Sequence, residues 1–229
     1  MEFRNSFQRS SSPVVLNLII INALAYFAQV AFGGNTENSH ITDLFALHHY
    51  QSDTFYPFQL FTHMFMHGSI FHLLFNMLAL FMFGSMIEQI MGSRKFLIFY
   101  LICGLFAGLA QMGNYVIDFW NIDQHIQSYD TESYQQLLRS NATVGASGAI
   151  MGIVAAYGYC FPNTKMIIMP IPFPIKAKWA ITGIILLDVF GGISNTTGDN
   201  IAHFAHVGGA LIGLILIFFW KRKNRNIFY

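Results

Sequence analysis

Four polar residues inside apolar stretches have the types and spacing that acyl transfer requires. Ser147 opens one apolar stretch and His206 lies near the start of the last one. His72 and Asn76 are four positions apart, which places them on one face of a helix. A serine hydroxyl becomes a nucleophile when a neighbouring base, most often an imidazole, takes its proton. The pattern therefore predicts Ser147 as a nucleophile and His206 as its base.

The same residues include donors for the oxyanion that forms when a serine attacks a carbonyl. Such an oxyanion needs hydrogen-bond donors that are already in position. The Nε2–H group of His72, the amide of Asn76 and the backbone N–H of Ser147 are the candidates. Gly145, Ala146 and Gly148 surround the serine with small residues, so that backbone donors stay free and a substrate chain can approach.

Each of these residues also has a structural interpretation, which the sequence alone leaves open. A serine between glycines is often a helix-packing residue, and the pair of His72 and Asn76 could fix only the entry of a helix. His63 and His67 have the spacing of metal ligands, but no H-E-x-x-H motif and no carboxylate accompanies them. We therefore predict structural hydrogen bonds for both histidines, and neither a metal nor a cofactor.

The composition is that of a membrane protein. Hydrophobic residues make up 54% of the 229 residues and charged residues only 10%, a balance that favours lipid as the solvent. The net charge is +1 and no basic run is interleaved with aromatics, which excludes nucleic acid as a partner. Cys103 and Cys160 lie in apolar stretches and are expected to act as small hydrophobic residues.

Six apolar stretches divide the chain, and about 20 such residues are needed to cross a bilayer. The predicted spans cover residues 14–32, 70–90, 96–112, 145–161, 178–192 and 201–220. We expect an extramembrane loop over residues 114–141, which carry four acidic side chains, and a cytoplasmic or re-entrant connector at the prolines of residues 170–174. The prediction is one all-α, six-helix membrane domain over residues 14–220, with cytoplasmic tails at 1–13 and 221–229.

Basic residues predict the orientation, because they concentrate on the cytoplasmic side of membrane proteins. The six predicted spans place eleven basic residues on the same side of the membrane as the N-terminus: Arg4, Arg9, Arg94, Lys95, Lys165, Lys176, Lys178, Lys221, Arg222, Lys223 and Arg225. Only Arg139 lies opposite. Both termini are therefore expected inside, and Ser147, His206, His72 and Asn76 are all expected near the outer face.

Three further features concern groups inside the spans. Glycines four positions apart, at 148 and 152 and at 209 and 213, predict a close approach of the fourth and sixth spans. Asp188 lies at about the depth of His206 and could orient it as a third catalytic member, but we expect another partner or water for its carboxylate. His203 is expected to face a loop or a neighbour, and Glu88 to pair or cap at the inner interface.

The motifs together resemble those of one family. The segments concerned are Gly145-Ala146-Ser147-Gly148-Ala149-Ile150, Ala205-His206-Val207-Gly208-Gly209 with Gly213, His72-Leu73-Leu74-Phe75-Asn76, and the lead-in Phe61 to Gly68. In this order, over about residues 58–213, they resemble the motifs of bacterial-type rhomboid intramembrane serine proteases. The resemblance implies a six-helix rhomboid-like bundle, a Ser–His dyad of Ser147 and His206, and cleavage of transmembrane protein substrates in or near their membrane segments.

Two positions depart from the family pattern. Phe58-Gln59 stands where many relatives have Trp-Arg or Trp-Gln, and Met151 stands where many have an aromatic residue one turn after the serine.

Two other functions stay open as alternatives: a catalytically inactive rhomboid-like binding module and a small polytopic transporter. A transporter would favour inverted repeats and broken helices. A substrate helix would enter sideways from lipid, with the fifth span and residues 191–200 as its gate. Compactness and the lack of a targeting extension suggest a bacterial plasma membrane.

Overall fold

The computed structural model describes residues 12–33, 40–123, 131–167, 173–194 and 201–223. These residues form ten α-helices and one short pair of strands. The helices are α1 (Pro13–Gly33), α2 (His40–Phe45), α3 (Gln59–Thr62), α4 (Ile70–Ala79), α5 (Ser85–Met91), α6 (Ser93–Asp123), α7 (Thr131–Ser140), α8 (Ser147–Cys160), α9 (Ala177–Ser194) and α10 (His203–Lys223). A 3-10 turn covers His63–Phe65, and a π-helical turn, Leu80–Gly84, joins α4 to α5.

Within the described ranges, five helical segments are long and apolar enough to cross a membrane. They are Pro13–Phe32, Ile70–Met91, Ser93–Phe119, Ala177–Ser194 and His203–Arg222. The remaining predicted span corresponds to α8, which has only 14 residues and is therefore about 21 Å long, less than the roughly 30 Å of a hydrocarbon core. The helical membrane bundle is confirmed, whereas a sixth complete crossing stays a prediction.

Helix α8 lies at the centre of the bundle. Every residue from Gly148 to Gly158 is buried, as expected for a helix that is apolar on all sides. Its neighbour α10 approaches it through glycines: a Cβ on Gly209 would lie 1.9 Å from the carbonyl oxygen of Gly148, and one on Gly213 would lie 2.5 Å from that of Gly152. The predicted close approach of these two helices is confirmed, and it brings their N-terminal ends together.

The segment over residues 114–141 is helical for most of its length, so the prediction of a loop is wrong there, and its extramembrane position stays a prediction. Helix α6 continues to Asp123, and α7 follows after residues 124–130, which lie outside the described part. The prediction rested on the acidic residues and overlooked an apolar helix face: Tyr115 and Phe119 are four positions apart, and both are buried. The hydroxyls of Tyr115 and Thr143 are 2.6 Å apart, so the extension of α6 packs against the segment that precedes α8.

The proline-rich connector contains a structure that the sequence did not predict. Strands β1 (Lys165–Met166) and β2 (Ile175–Lys176) pair antiparallel, and α9 begins directly after β2. Residues 168–172, which include two of the three prolines, are outside the described ranges, as are the greater part of the expected gate loop (195–200) and both predicted tails apart from residues 12–13 and 221–223.

Candidate active site

Ser147 and His206 meet between the N-terminal ends of α8 and α10. Ser147 is the first residue of α8, and His206 lies one turn into α10. The serine Oγ is 2.8 Å from Nε2 of His206, although 59 positions separate the two residues in the chain. The imidazole is 17% exposed. The two residues are thus within hydrogen-bond reach, which is the first geometric requirement for a nucleophile and its base.

Asp188 of α9 contacts the imidazole of His206 at the ring nitrogen that does not face Ser147. Its Oδ1 atom is 2.9 Å from Nδ1 of His206 and 2.8 Å from Nδ1 of His203. A carboxylate oxygen accepts hydrogen bonds, so Nδ1 of His206 carries the N–H, and Nε2 of the neutral ring has a free lone pair for the serine hydroxyl. The expectation that the carboxylate would find its partner away from His206 differs from the structure, because α9 and α10 pack closely enough to bring the two side chains together.

His72 faces a small space beside the serine that Gly145 keeps open. A Cβ on Gly145 would lie 2.9 Å from Nε2 of His72 and 3.5 Å from Oγ of Ser147. The φ angle of Gly145 is +128°, a conformation that other residues rarely adopt. The backbone N–H of Gly68 donates to Nδ1 of His72 at 3.4 Å, which places the ring proton on Nε2. His72 therefore presents a donor to the space next to Ser147.

Asn76 lies one turn below His72 on the same helix face, as the spacing predicts. It is buried, and its Nδ2 donates to the carbonyl oxygen of His72 at 2.8 Å. An amide nitrogen carries two hydrogens, so one is held by the helix and the second is free for another acceptor. At Ser147 itself no side chain caps α8, and the N–H of Ile150 bonds to the carbonyl of Ala146 at 3.0 Å. The N–H groups before Ile150 lack partners within the helix.

The first loop, which connects α1 to α4, positions the residues just before Ser147 through backbone hydrogen bonds. Leu47 and Thr143 exchange two N–H···O bonds of 2.9 Å, and the N–H of Gly145 donates to the carbonyl of His63, also at 2.9 Å. His63 in turn has its Nδ1 3.0 Å from the carbonyl oxygen of Gln59. A structural hydrogen bond was predicted for His63 and is confirmed. The backbone of the loop therefore holds the turn that leads into Ser147.

Gln59 organises this loop, a role that the sequence analysis missed. Its side chain is fully buried, and Nε2 donates to the carbonyl oxygens of Thr54 at 2.8 Å and Leu44 at 3.1 Å. The available signal was a glutamine among the apolar residues Phe58, Leu60 and Phe61, because a buried amide must find hydrogen-bond partners. Phe58 is exposed and stacks on Tyr56.

His67 differs from the prediction made for it. Its backbone, not its ring, makes the hydrogen bonds: the N–H donates to Oε1 of Gln29 at 3.0 Å and the carbonyl accepts from Nε2 of Gln29 at 3.4 Å. The ring is buried edge-on to His72 with 5.2 Å between centroids, and neither ring nitrogen has a partner among the described residues. Within the described ranges, no three His, Cys, Asp or Glu side chains are placed to hold a metal ion.

Comparison with known proteins agrees with the resemblance in the motifs. The profile described as the rhomboid domain matches residues 54–223. The chain is 30% identical over 221 residues to the rhomboid protease AarA of Providencia stuartii, covering 92% of this chain and 73% of that protein. It is also 30% identical over 166 residues to the human mitochondrial presenilin-associated rhomboid-like protein, and 26% identical over 154 residues to the mitochondrial rhomboid protein 1 of Saccharomyces cerevisiae.

The two matches to mitochondrial proteins are partial. The chain covers 38% of the length of each, and they cover 70% and 66% of this chain. The matched profile nevertheless extends over every helix from α3 to α10, including all four predicted site residues. Its described part has five membrane-length helices, the rhomboid profile matches residues 54–223, and the Providencia stuartii protease is 30% identical over 92% of this chain. The chain is therefore an integral membrane protein that belongs to the rhomboid family.

Proposed function

We propose that this protein is an intramembrane serine endopeptidase that hydrolyses peptide bonds in or near the transmembrane segments of other membrane proteins. The observation that carries the proposal is the 2.8 Å contact between Oγ of Ser147 and Nε2 of His206. This contact supports the assignment of Ser147 as the nucleophile and His206 as its base. The two helices are almost entirely apolar elsewhere, and a polar pair without a function would be costly there.

In the proposed mechanism, Nε2 of His206 takes the hydroxyl proton of Ser147 as Oγ attacks the scissile carbonyl carbon. The oxyanion lies in the space beside Gly145 and accepts hydrogen bonds from Nε2 of His72, the backbone N–H of Ser147 and the second amide hydrogen of Asn76. The imidazolium returns its proton to the leaving amine as the C–N bond breaks. A water molecule, deprotonated by the same nitrogen, then hydrolyses the acyl-enzyme and restores the serine hydroxyl.

The setting of the reaction is part of the proposal. The chain would form one membrane domain over residues 14–220 with both ends in the cytoplasm, in a bacterial plasma membrane, and would open its site toward the outer face. The basic residues described above support this orientation. The lipid bilayer and transmembrane proteins are then the partners, and the chemistry needs neither a cofactor nor a metal.

Covalent labelling tests the proposal directly. A fluorescent fluorophosphonate should label the detergent-solubilised protein at Ser147, and the same preparation should cleave a single-span membrane protein. Ser147→Ala should abolish both reactions while the protein stays folded, because only a hydroxyl is removed from a helix start. His206→Ala should reduce both the labelling of Ser147 and the cleavage of the substrate.

Two results would contradict the proposed function. Cleavage by purified Ser147→Ala at the wild-type rate would exclude Ser147 as the nucleophile. A folded wild-type protein that neither reacts with the fluorophosphonate nor cleaves the substrate would favour an inactive rhomboid-like binding module or a transporter.

A further inference from the structure

We propose that Asp188 is a positioning residue that fixes the tautomer and ring orientation of His206, so that the reaction uses a Ser147–His206–Asp188 triad. The inference rests on the proposed function, because it assigns a third residue to the same site. It goes beyond the dyad that the family resemblance implies.

The first support is the geometry of the chain of hydrogen bonds. Oγ of Ser147 lies 2.8 Å from Nε2 of His206, and Nδ1 of the same ring lies 2.9 Å from Oδ1 of Asp188. Both imidazole nitrogens are thereby engaged in opposite senses: one accepts from the serine and the other donates to the carboxylate. A base held on its far side in this way keeps its lone pair directed at the nucleophile.

The second support is the burial of the carboxylate. Asp188 is 8% exposed, within a helix whose neighbouring residues Leu187 and Val189 are apolar. A carboxylate inside a span is costly unless hydrogen bonds or a cation compensate it. The described residues that supply hydrogen bonds to it are two imidazoles, and His206 is one of them. When His206 receives the serine proton, the resulting imidazolium lies next to a negative charge, and the carboxylate itself stays unprotonated.

The third support is the packing that brings α9 to α10 at this level. A Cβ on Gly191 would lie 2.5 Å from Nε2 of His203, and one on Gly192 would lie 2.8 Å from Cε2 of Phe204. Two consecutive glycines of α9, on the turn after Asp188, thus admit the rings of the first turn of α10. His203 occupies one side of Oδ1 at 2.8 Å and fixes the carboxylate, which has its other contact with His206.

The chain offers matched variants that separate positioning from simple packing. Asp188→Asn keeps the shape of the side chain and removes its charge. In a Ser–His–Asp triad that change lowers kcat by about 10⁴-fold because the imidazole takes the wrong tautomer; here we expect a loss of at least about 10²-fold with an unchanged KM. Asp118→Asn is the control: Asp118 also lies in a membrane-length helix, and it accepts a hydrogen bond from Asn114 at 2.8 Å. That variant should retain kcat within about twofold, since it lies outside the proposed site.

His203→Asn tests whether Asp188 acts only by joining α9 to α10. If the carboxylate were merely a structural link between α9 and α10, removal of its partner His203 would lower activity as much as removal of the carboxylate itself. Positioning predicts instead that His203→Asn retains at least tenfold more activity than Asp188→Asn, and that Asp188→Glu recovers part of the activity because it restores a carboxylate.

The decisive measurement is the tautomer of His206, read from ¹⁵N chemical shifts in histidine-labelled protein and assigned with His206→Ala. The wild type should carry its proton on Nδ1, and Asp188→Asn should move population to the Nε2–H form. An unchanged tautomer, or wild-type turnover in Asp188→Asn, would overturn the inference. Because the tautomer is measured without substrate, the result stands apart from the proposed function, which is tested by labelling and cleavage with the wild type and with Ser147→Ala.

Discussion

The side chain of Glu88 in α5 accepts the backbone N–H of Val15 at 2.9 Å and that of Val14 at 3.0 Å, both in the first turn of α1. The predicted capping role of this glutamate at a span end is therefore confirmed, and its target is the start of another helix. Ser93, the first residue of α6, donates its hydroxyl to the same carboxylate at 2.6 Å. One buried acid thus joins three helices at one end of the bundle.

Glu88→Ala should lower the stability of the whole bundle, because it leaves donors at the start of α1 without an acceptor. A buried hydrogen bond to a charged group contributes roughly 1.5–3 kcal/mol, so we expect a loss of that size, measured as a lower Tm in detergent. Glu132→Ala is the matched control: Glu132 is 80% exposed in α7 and should have little effect. Equal Tm values for wild type and Glu88→Ala would contradict the prediction.

The oxyanion donors can be tested one at a time. His72→Ala and Asn76→Ala should each lower kcat by about 10²–10³-fold, corresponding to about 2.7–4 kcal/mol of barrier, the range for loss of one such donor. Asn114→Ala, which removes an amide from α6, should leave kcat unchanged. If both His72→Ala and Asn76→Ala turned over substrate at the wild-type rate, the two residues would have only a structural role.

Gly145→Ala should impair both catalysis and folding. The added Cβ would lie 2.8 Å from Cε1 of His72 and 2.9 Å from its Nε2, and the φ of +128° disfavours any side chain. We expect the largest loss in kcat, because the methyl group fills the space proposed for the oxyanion. Gly113→Ala in α6 meets no atom within 4 Å and should be neutral or slightly stabilising. A Gly145→Ala protein with wild-type kcat would show that this space is not used in the reaction.

Most of the bundle could be predicted from the sequence because apolar length and glycine spacing are local signals. The starts of α1 and α9 lie within one residue of the predicted spans, and the contact of Gly209 with Gly148 follows from spacing alone. Helix α6 was predicted too short because acidic residues were weighted above the apolar pair Tyr115 and Phe119. The carboxylate of Asp188 was not assigned to His206, since its direction depends on how α9 packs against α10, which no local pattern encodes.

Acid should weaken the contact between the first loop and α7. Arg139 donates its Nε to Oδ1 of Asp53 at 2.8 Å, and this hydrogen bond holds the pKa of Asp53 below its usual value. A lowered pKa in the folded state stabilises the protein above the unfolded-state pKa of about 4, and that contribution is lost as the pH falls through the folded value. Both side chains are more than a third exposed, so the effect is small and is screened by salt.

The comparison to make is between wild type and Asp53→Asn across pH 3 to 7 at low ionic strength. The wild type should have the higher Tm at pH 7, and the difference should shrink as the pH falls below about 4 and disappear once the pH lies below the folded-state pKa of Asp53, where the carboxylate is protonated in both states. A Tm difference that is constant over this range would mean that the pair contributes through shape and not through charge.

Helix α9 has the smallest buried share, 17%, of the five membrane-length helices, and the side chains of Leu187, Phe190 and Ile193 are 70% or more exposed. The carboxylate proposed to orient His206 is therefore carried by the membrane-length helix with the smallest share of residues buried inside the bundle. Any movement of the C-terminal half of α9 away from α10 would separate Asp188 from the imidazole and let the ring turn away from Ser147. If a substrate helix entered past α9, as the sequence predicts, His206 would therefore lose this orientation during entry and regain it only when α9 returned, and hydrolysis would be suppressed while the bundle is open to lipid.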